Sequence, residues 1–147
     1  MISPIKTIFI NGKRFATLTI DENLEKAHGK CWVRKYATIT SIDIVLKQEY
    51  SIYNHFILLH EIYHGMIGMD GSWYARMVQK ARNAKMFDGE GWYPFVMFTE
   101  ELMCDAFAYH NAGDSFIVGG SQMPEFIIKA AAKLFFKDDE KIKLEIV

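Results

Sequence analysis

Ile57-Leu58-Leu59-His60-Glu61-Ile62-Tyr63-His64 carries the pattern H-E-x-x-H inside an apolar run. At about 3.6 residues per helical turn, His60 and His64 fall one turn apart on the same face, so both imidazoles can reach one ion. Neutral imidazole nitrogens bind Zn²⁺ at about 2.0–2.1 Å, and a catalytic zinc takes three protein ligands and leaves its fourth position to water. Glu61 lies about 100° around the helix from His60, off the ligand stripe but able to direct its carboxylate at the open side of such an ion. The pattern is half a site and needs a third ligand.

The surroundings raise the stakes for these three side chains. From about Ser51 to Gly68 the residues are apolar nearly all round, with Ile52, Phe56, Leu59, Tyr63 and Met66 on one side and Leu58 and Ile62 on another. Such a helix is buried on most faces. Imidazoles and a carboxylate are costly there unless paired or bound to a metal. The bland alternative is two histidines in a metal-free core. His55 falls away from the stripe and is expected to be a satisfied or half-exposed histidine, and Gly65, Gly68 and Asp70-Gly71 are expected to end the helix.

The third ligand is sought downstream. Ser72 suits the N-cap of a second helix over about Trp73 to Phe87, Asp88-Gly89-Glu90-Gly91 reads as a loop followed by Trp92-Tyr93, and Pro94 suits the first turn of a third helix running to Asn111 and closed by Gly113. On that helix Glu101 and Asp105 are four residues apart and share a face, set among Phe98, Leu102, Met103, Ala106, Phe107 and Ala108. Glu101 can supply the third ligand. Asp105 can accept a hydrogen bond from the non-coordinating N–H of a ligand histidine, fixing its tautomer. Glu100 competes with Glu101, but the residue one turn beyond it is Cys104 instead of a carboxylate. Cys104 itself lies near the ligand stripe, and a thiolate there would close the coordination shell and leave a structural site. The expectation is an open site with Cys104 as packing.

Elsewhere the chain supplies a scaffold. Thr7–Ile10 and Phe15–Ile20 flank Asn11-Gly12, a type I′ hairpin signal. Cys31 to Leu46 favours one or two further strands, with Ile42, Ile44 and Leu46 alternating against Asp43 and Val45. The opening third is expected to form a small, largely antiparallel sheet. Beyond Gly119-Gly120, Ser121-Gln122-Met123-Pro124 opens a last helix to about Phe136, with Phe126, Ile127, Ala130, Ala131 and Leu134 as its buried stripe, and the tail alternates Ile142, Leu144 and Ile146 with charged residues as an edge strand or partner-binding segment would. With 147 residues, half of them hydrophobic, residues 1–147 are expected to make one domain. A formal net charge of −1 leaves no footprint for nucleic acid or an anionic membrane. No run reaches 18 apolar residues, the first ten residues do not read as a signal peptide, and two distant cysteines make no disulfide framework. A cytoplasmic protein is expected.

His60-Glu61-Ile62-Tyr63-His64 followed by Glu101-Leu102-Met103-Cys104-Asp105 resembles the zincin metallopeptidases of the gluzincin type, in which a glutamate from a later helix is the third ligand and the acid four residues on backs a histidine. Glu101-x-x-x-Asp105-x-Phe107-Ala108 is also similar to the ImmA/IrrE group of small zincins found in phages and mobile elements. That group usually carries glycine at the position of Tyr63. The resemblance implies an α+β zincin-like domain, a Zn²⁺ cofactor held by His60, His64 and Glu101, and hydrolysis of a peptide or protein substrate with Glu61 as general base. Such chemistry calls for a donor to the developing oxyanion, for which Tyr93, Tyr109 and His110 are candidates. A zincin-fold module with a structural zinc and no enzymatic activity is the alternative.

Overall fold

Asn11 and Gly12 both take positive φ, 52° and 80°, so the expected type I′ turn joins β1 (Lys6–Ile10) to β2 (Lys13–Ile20). The computed structural model describes residues 4–72, 75, 76, 79, 100–112 and 124–147. The expected helix over Trp73 to Phe87, the loop at Asp88–Gly91, Trp92-Tyr93, Pro94 and Gly113 lie outside those residues, apart from helical positions at 75, 76 and 79.

The stretch beginning at Cys31 forms two strands, β3 (Gly29–Tyr36) and β4 (Ile39–Leu46), paired antiparallel as a hairpin. The last described strand, β5 (Leu144–Ile146), pairs with β1, so the charged tail does add an edge strand. The five strands lie in the order β3-β4-β2-β1-β5. The sheet is largely antiparallel, as expected, with one parallel pairing, β2 with β4, that makes it mixed. Ile42, Ile44 and Leu46 of β4 are all buried, whereas β3 alternates half-buried residues with exposed Lys30, Trp32 and Arg34. The more apolar strand therefore takes the inner place and displaces β3 to the edge.

Three helices are described: α1 (His55–Met69), α2 (Glu100–Ala112) and α3 (Glu125–Phe135). Together with the sheet they make a mixed α+β architecture. α1 packs on the inner face of the sheet and against α2, and α2 against α3. A 3-10 turn at Ile52–Asn54 leads into α1, capped reciprocally by Ser51 and Asn54, and leaves Ile52 exposed instead of in the core. Gly65 and Gly68 do not end α1, which continues to Met69. At Gly68 an added Cβ would lie 2.6 Å from Cγ2 of Val33, so the missing side chain is what lets the helix approach β3. The stripe of α3 is also rotated from expectation. Ile127, Ile128, Ala131, Ala132 and Phe135 are buried, while Phe126 and Leu134 face out.

Tyr63 is fully buried between Phe107 and Phe136, with ring centroids 4.8 and 5.5 Å away. Each such aromatic pair contributes about 0.5–1.5 kcal/mol beyond area burial. This cluster locks α1 to α2 and so fixes the residues that α1 turns the other way. No helix among the described residues is long and apolar enough to cross a membrane.

Candidate metal centre

His60 and His64 stand one turn apart on α1, and their Nε2 atoms are 3.1 Å from one another. α2 brings Glu101 to both: Oε2 lies 3.1 Å from His60 Nε2, and Oε1 lies 2.9 Å from His64 Nε2. On the far side of the His60 ring, Nδ1 donates to Asp105 Oδ1 at 2.7 Å. The four-residue spacing on α2 thus puts Glu101 on the inner edge of the imidazole pair and Asp105 behind it. Asp105 is only 3% exposed, and Glu61, on the neighbouring flank of α1, only 6%.

The donor set can be tested against zinc. With bonds of about 2.0–2.1 Å and tetrahedral angles, neighbouring donors stand roughly 3.3–3.4 Å apart. The three separations of 2.9–3.1 Å lie slightly inside that spacing, so His60, His64 and Glu101 could hold the ion after small outward shifts. Cys104 is the other donor nearby. Its Sγ and the histidine nitrogens lie within 4.8 Å of one another. A zinc thiolate and imidazole would stand roughly 3.6 Å apart, so the Glu101 set is the better match. Glu100, considered as a rival ligand, instead faces the outer nitrogen of His64, with Oε1 3.4 Å from Nδ1.

The electrostatics follow from this crowding. Burial opposes a charge on His60, but hydrogen bonds to Asp105 and Glu101 and the charges of Asp105 and Glu61 outweigh it and lift its pKa from 6.5 to about 10. Burial likewise opposes a charge on His64, and its hydrogen bond to Glu101 more than offsets it, so its pKa is raised too. The same hydrogen bonds, from His60 and His64, hold Glu101 well below the usual carboxylate range. Glu61 moves the other way: burial raises its pKa, and the two histidines pull it only partway back. A carboxylate shifted upward is better matched to proton transfer near neutrality. The cluster as a whole attracts positive charge.

A groove of about 330 Å³ opens beside these groups, lined by Gly29, Lys30, Cys31, Trp32, Glu61, His64 and Glu100. Gly29 lets β3 approach α1 closely, since a Cβ there would lie 3.0 Å from Cγ2 of Ile57 and 3.2 Å from Cγ of Glu61. No motif in the sequence marks this wall. Its one signal is the alternation of β3, which turns Gly29, Cys31 and Val33 toward α1. Tyr109 and His110 make contacts away from the cluster. The Tyr109 ring lies under Nζ of Lys129, 5.9 Å from its centroid, and His110 donates from Nε2 to the carbonyl of Asp139 at 2.8 Å. Tyr93 lies outside the described residues. His55 is satisfied by Tyr50, 2.8 Å from its Nδ1.

Comparison with protein-family models, curated proteins and solved structures finds no match.

Proposed function

We propose that this chain is a zinc-dependent metallopeptidase with a zincin-like domain of the gluzincin type. The observation that carries the reading is the convergence of His60 Nε2, His64 Nε2 and the Glu101 carboxylate within 3.1 Å of one another, with Asp105 on the outer nitrogen of His60. His60, His64 and Glu101 would hold the zinc, which when bound supplies Lewis acidity to a scissile carbonyl and lowers the pKa of water. Asp105 keeps the His60 proton on Nδ1, so that Nε2 presents its lone pair to the site. Glu61 takes the proton of the attacking water and returns it to the leaving amine.

The sheet edge supports a place for substrate. β3 is an edge strand, and the groove beside Glu61 runs along its first residues. An extended peptide can add there as a further strand, held by main-chain hydrogen bonds with side chains directed alternately into the groove and out to solvent. Tyr93 is the remaining candidate donor to the oxyanion, and Tyr93→Phe is the variant that tests it.

A second reading, a protein-binding module with a structural zinc, draws support from Cys104, whose thiol is close enough to close the shell. One experiment separates the two. The zinc-loaded protein is incubated with a peptide mixture of diverse sequence, and products are read by mass spectrometry beside Glu61→Gln. Cleavage by the native chain that falls by about 10²- to 10⁴-fold in Glu61→Gln at equal zinc content supports the peptidase. Equal rates in the two proteins, or full zinc with no cleavage by either, contradict it.

A further inference from the structure

His60 and His64 have two possible third ligands on α2, at different depths. Glu101 is on the solvent side, its side chain 61% exposed, with an oxygen donor. Cys104, three residues on and so near the same stripe, is fully buried and offers sulfur. All three donor atoms of the His60, His64 and Cys104 group lie within 4.8 Å of one another. We propose that these three residues form a second coordination mode for soft, thiophilic ions such as Cd²⁺, in which Glu101 remains as fourth donor and the shell is closed to water.

Ligand softness and geometry together separate the modes. Thiolate binds zinc as well as softer ions, but the imidazole and carboxylate set also suits zinc and asks for less rearrangement. The Glu101 oxygens already stand 2.9–3.1 Å from both Nε2 atoms, so zinc needs little rearrangement to use them. Engaging Cys104 requires the sulfur to close on the imidazoles by up to about 1 Å within a packed core. Only an ion with a strong preference for sulfur recovers that cost. Binding converts the Cys104 S–H to thiolate, its proton passing to solvent as the metal–sulfur bond forms. Because Glu101 stays within reach of both imidazoles, the fourth position fills with protein instead of water. The coordination mode needs only these donors; that it inhibits hydrolysis rests on the peptidase reading above.

The chain has two cysteines, which makes the test clean. Cd²⁺ is titrated into the zinc-stripped full chain at neutral pH, and the ultraviolet thiolate-to-cadmium charge-transfer band is followed in native, Cys31→Ser and Cys104→Ser proteins. The band is expected to saturate near one equivalent, to persist in Cys31→Ser, where Cys104 is the remaining thiol, and to vanish in Cys104→Ser. Cadmium affinity should fall by roughly 100-fold or more in Cys104→Ser, beyond the cost of an outer-shell partner, while zinc affinity changes by less than about 10-fold. No band in the native chain, or its loss in Cys31→Ser, overturns the proposal even where Cys104→Ser does not fold. If Cys104→Ser loses zinc together with cadmium, both ions use one closed shell, and the separate soft-ion mode is overturned along with the open-site peptidase reading, whereas a missing band overturns the soft-ion mode alone.

Discussion

Replacing Asp105 by alanine removes the acceptor of the 2.7 Å hydrogen bond from His60 Nδ1 at a position only 3% exposed. A hydrogen bond to a charged group contributes about 1.5–3 kcal/mol, and a partner left buried and unpaired costs a similar amount. In the zinc-stripped protein this should lower Tm by roughly 3–12 °C, taking about 2–4 °C per kcal/mol for a chain of this size. In the zinc-loaded protein the loss is felt in affinity, because His60 can then rotate or carry its proton on Nε2, where the ion must bind. The expected weakening is about 10- to 100-fold. Asp105→Asn keeps an oxygen acceptor and loses the charge, so it should fall between alanine and the native residue. Competition with a chromophoric chelator reads the affinity, and differential scanning fluorimetry reads Tm. Zinc affinity within about twofold of native in Asp105→Ala, with Tm lowered as expected, would refute the reasoning, because Asp105 would then support packing without orienting a ligand.

Gly68→Ala gains about 1 kcal/mol of helix propensity but places a Cβ 2.6 Å from Cγ2 of Val33. Overpacking of about 1–3 kcal/mol should outweigh the gain, and urea denaturation should show net destabilisation that Val33→Ala reverses in the double variant. The Tyr63 hydroxyl is buried without a hydrogen-bond partner among the described residues, so Tyr63→Phe should leave stability unchanged or raise it by about 1 kcal/mol; a loss of that size in the same assay would reveal a partner. pH should act on the zinc-stripped fold from both sides. His60 is raised from 6.5 to about 10, so its contribution is complete below about pH 6.5 and lost as pH rises through about 10. Glu101 is depressed below 4.5, so its contribution is present above that value and lost on acidification. A Tm profile highest between about pH 5 and 7 is expected, and its alkaline decline should shrink in His60→Ala.

The sequence was most informative where local pattern and tertiary demand coincide. Asn11-Gly12 encodes its turn through positive φ, the β4 alternation reports burial directly, and the i, i+4 spacings put His60 with His64 on one face of α1 and Glu101 with Asp105 on one face of α2, which the packing of the two helices then brings together. The parallel pairing of β2 with β4 was illegible because strand order depends on which strand the helices cover, a comparison between distant segments. Gly65 and Gly68 read as stop signals for the same reason: what they accommodate, Ile42 and Val33, lies on other elements. In α3 a Phe126–Ala130–Leu134 stripe and an Ile128–Ala131–Phe135 stripe both satisfy helical periodicity, and packing on α2 decides between them. The groove wall at Gly29–Trp32 carries no motif. Its position beside Glu61 comes from β3 being displaced to the sheet edge.

The most direct test is the metal content of purified protein by inductively coupled plasma mass spectrometry, in the native chain beside His60→Ala, His64→Ala, Glu101→Ala and Glu100→Ala. About one zinc per chain is expected in the native protein and in Glu100→Ala, with sharp loss in the other three. Native protein without zinc after purification in zinc-containing buffer, or full zinc in Glu101→Ala, would contradict a site built from His60, His64 and Glu101.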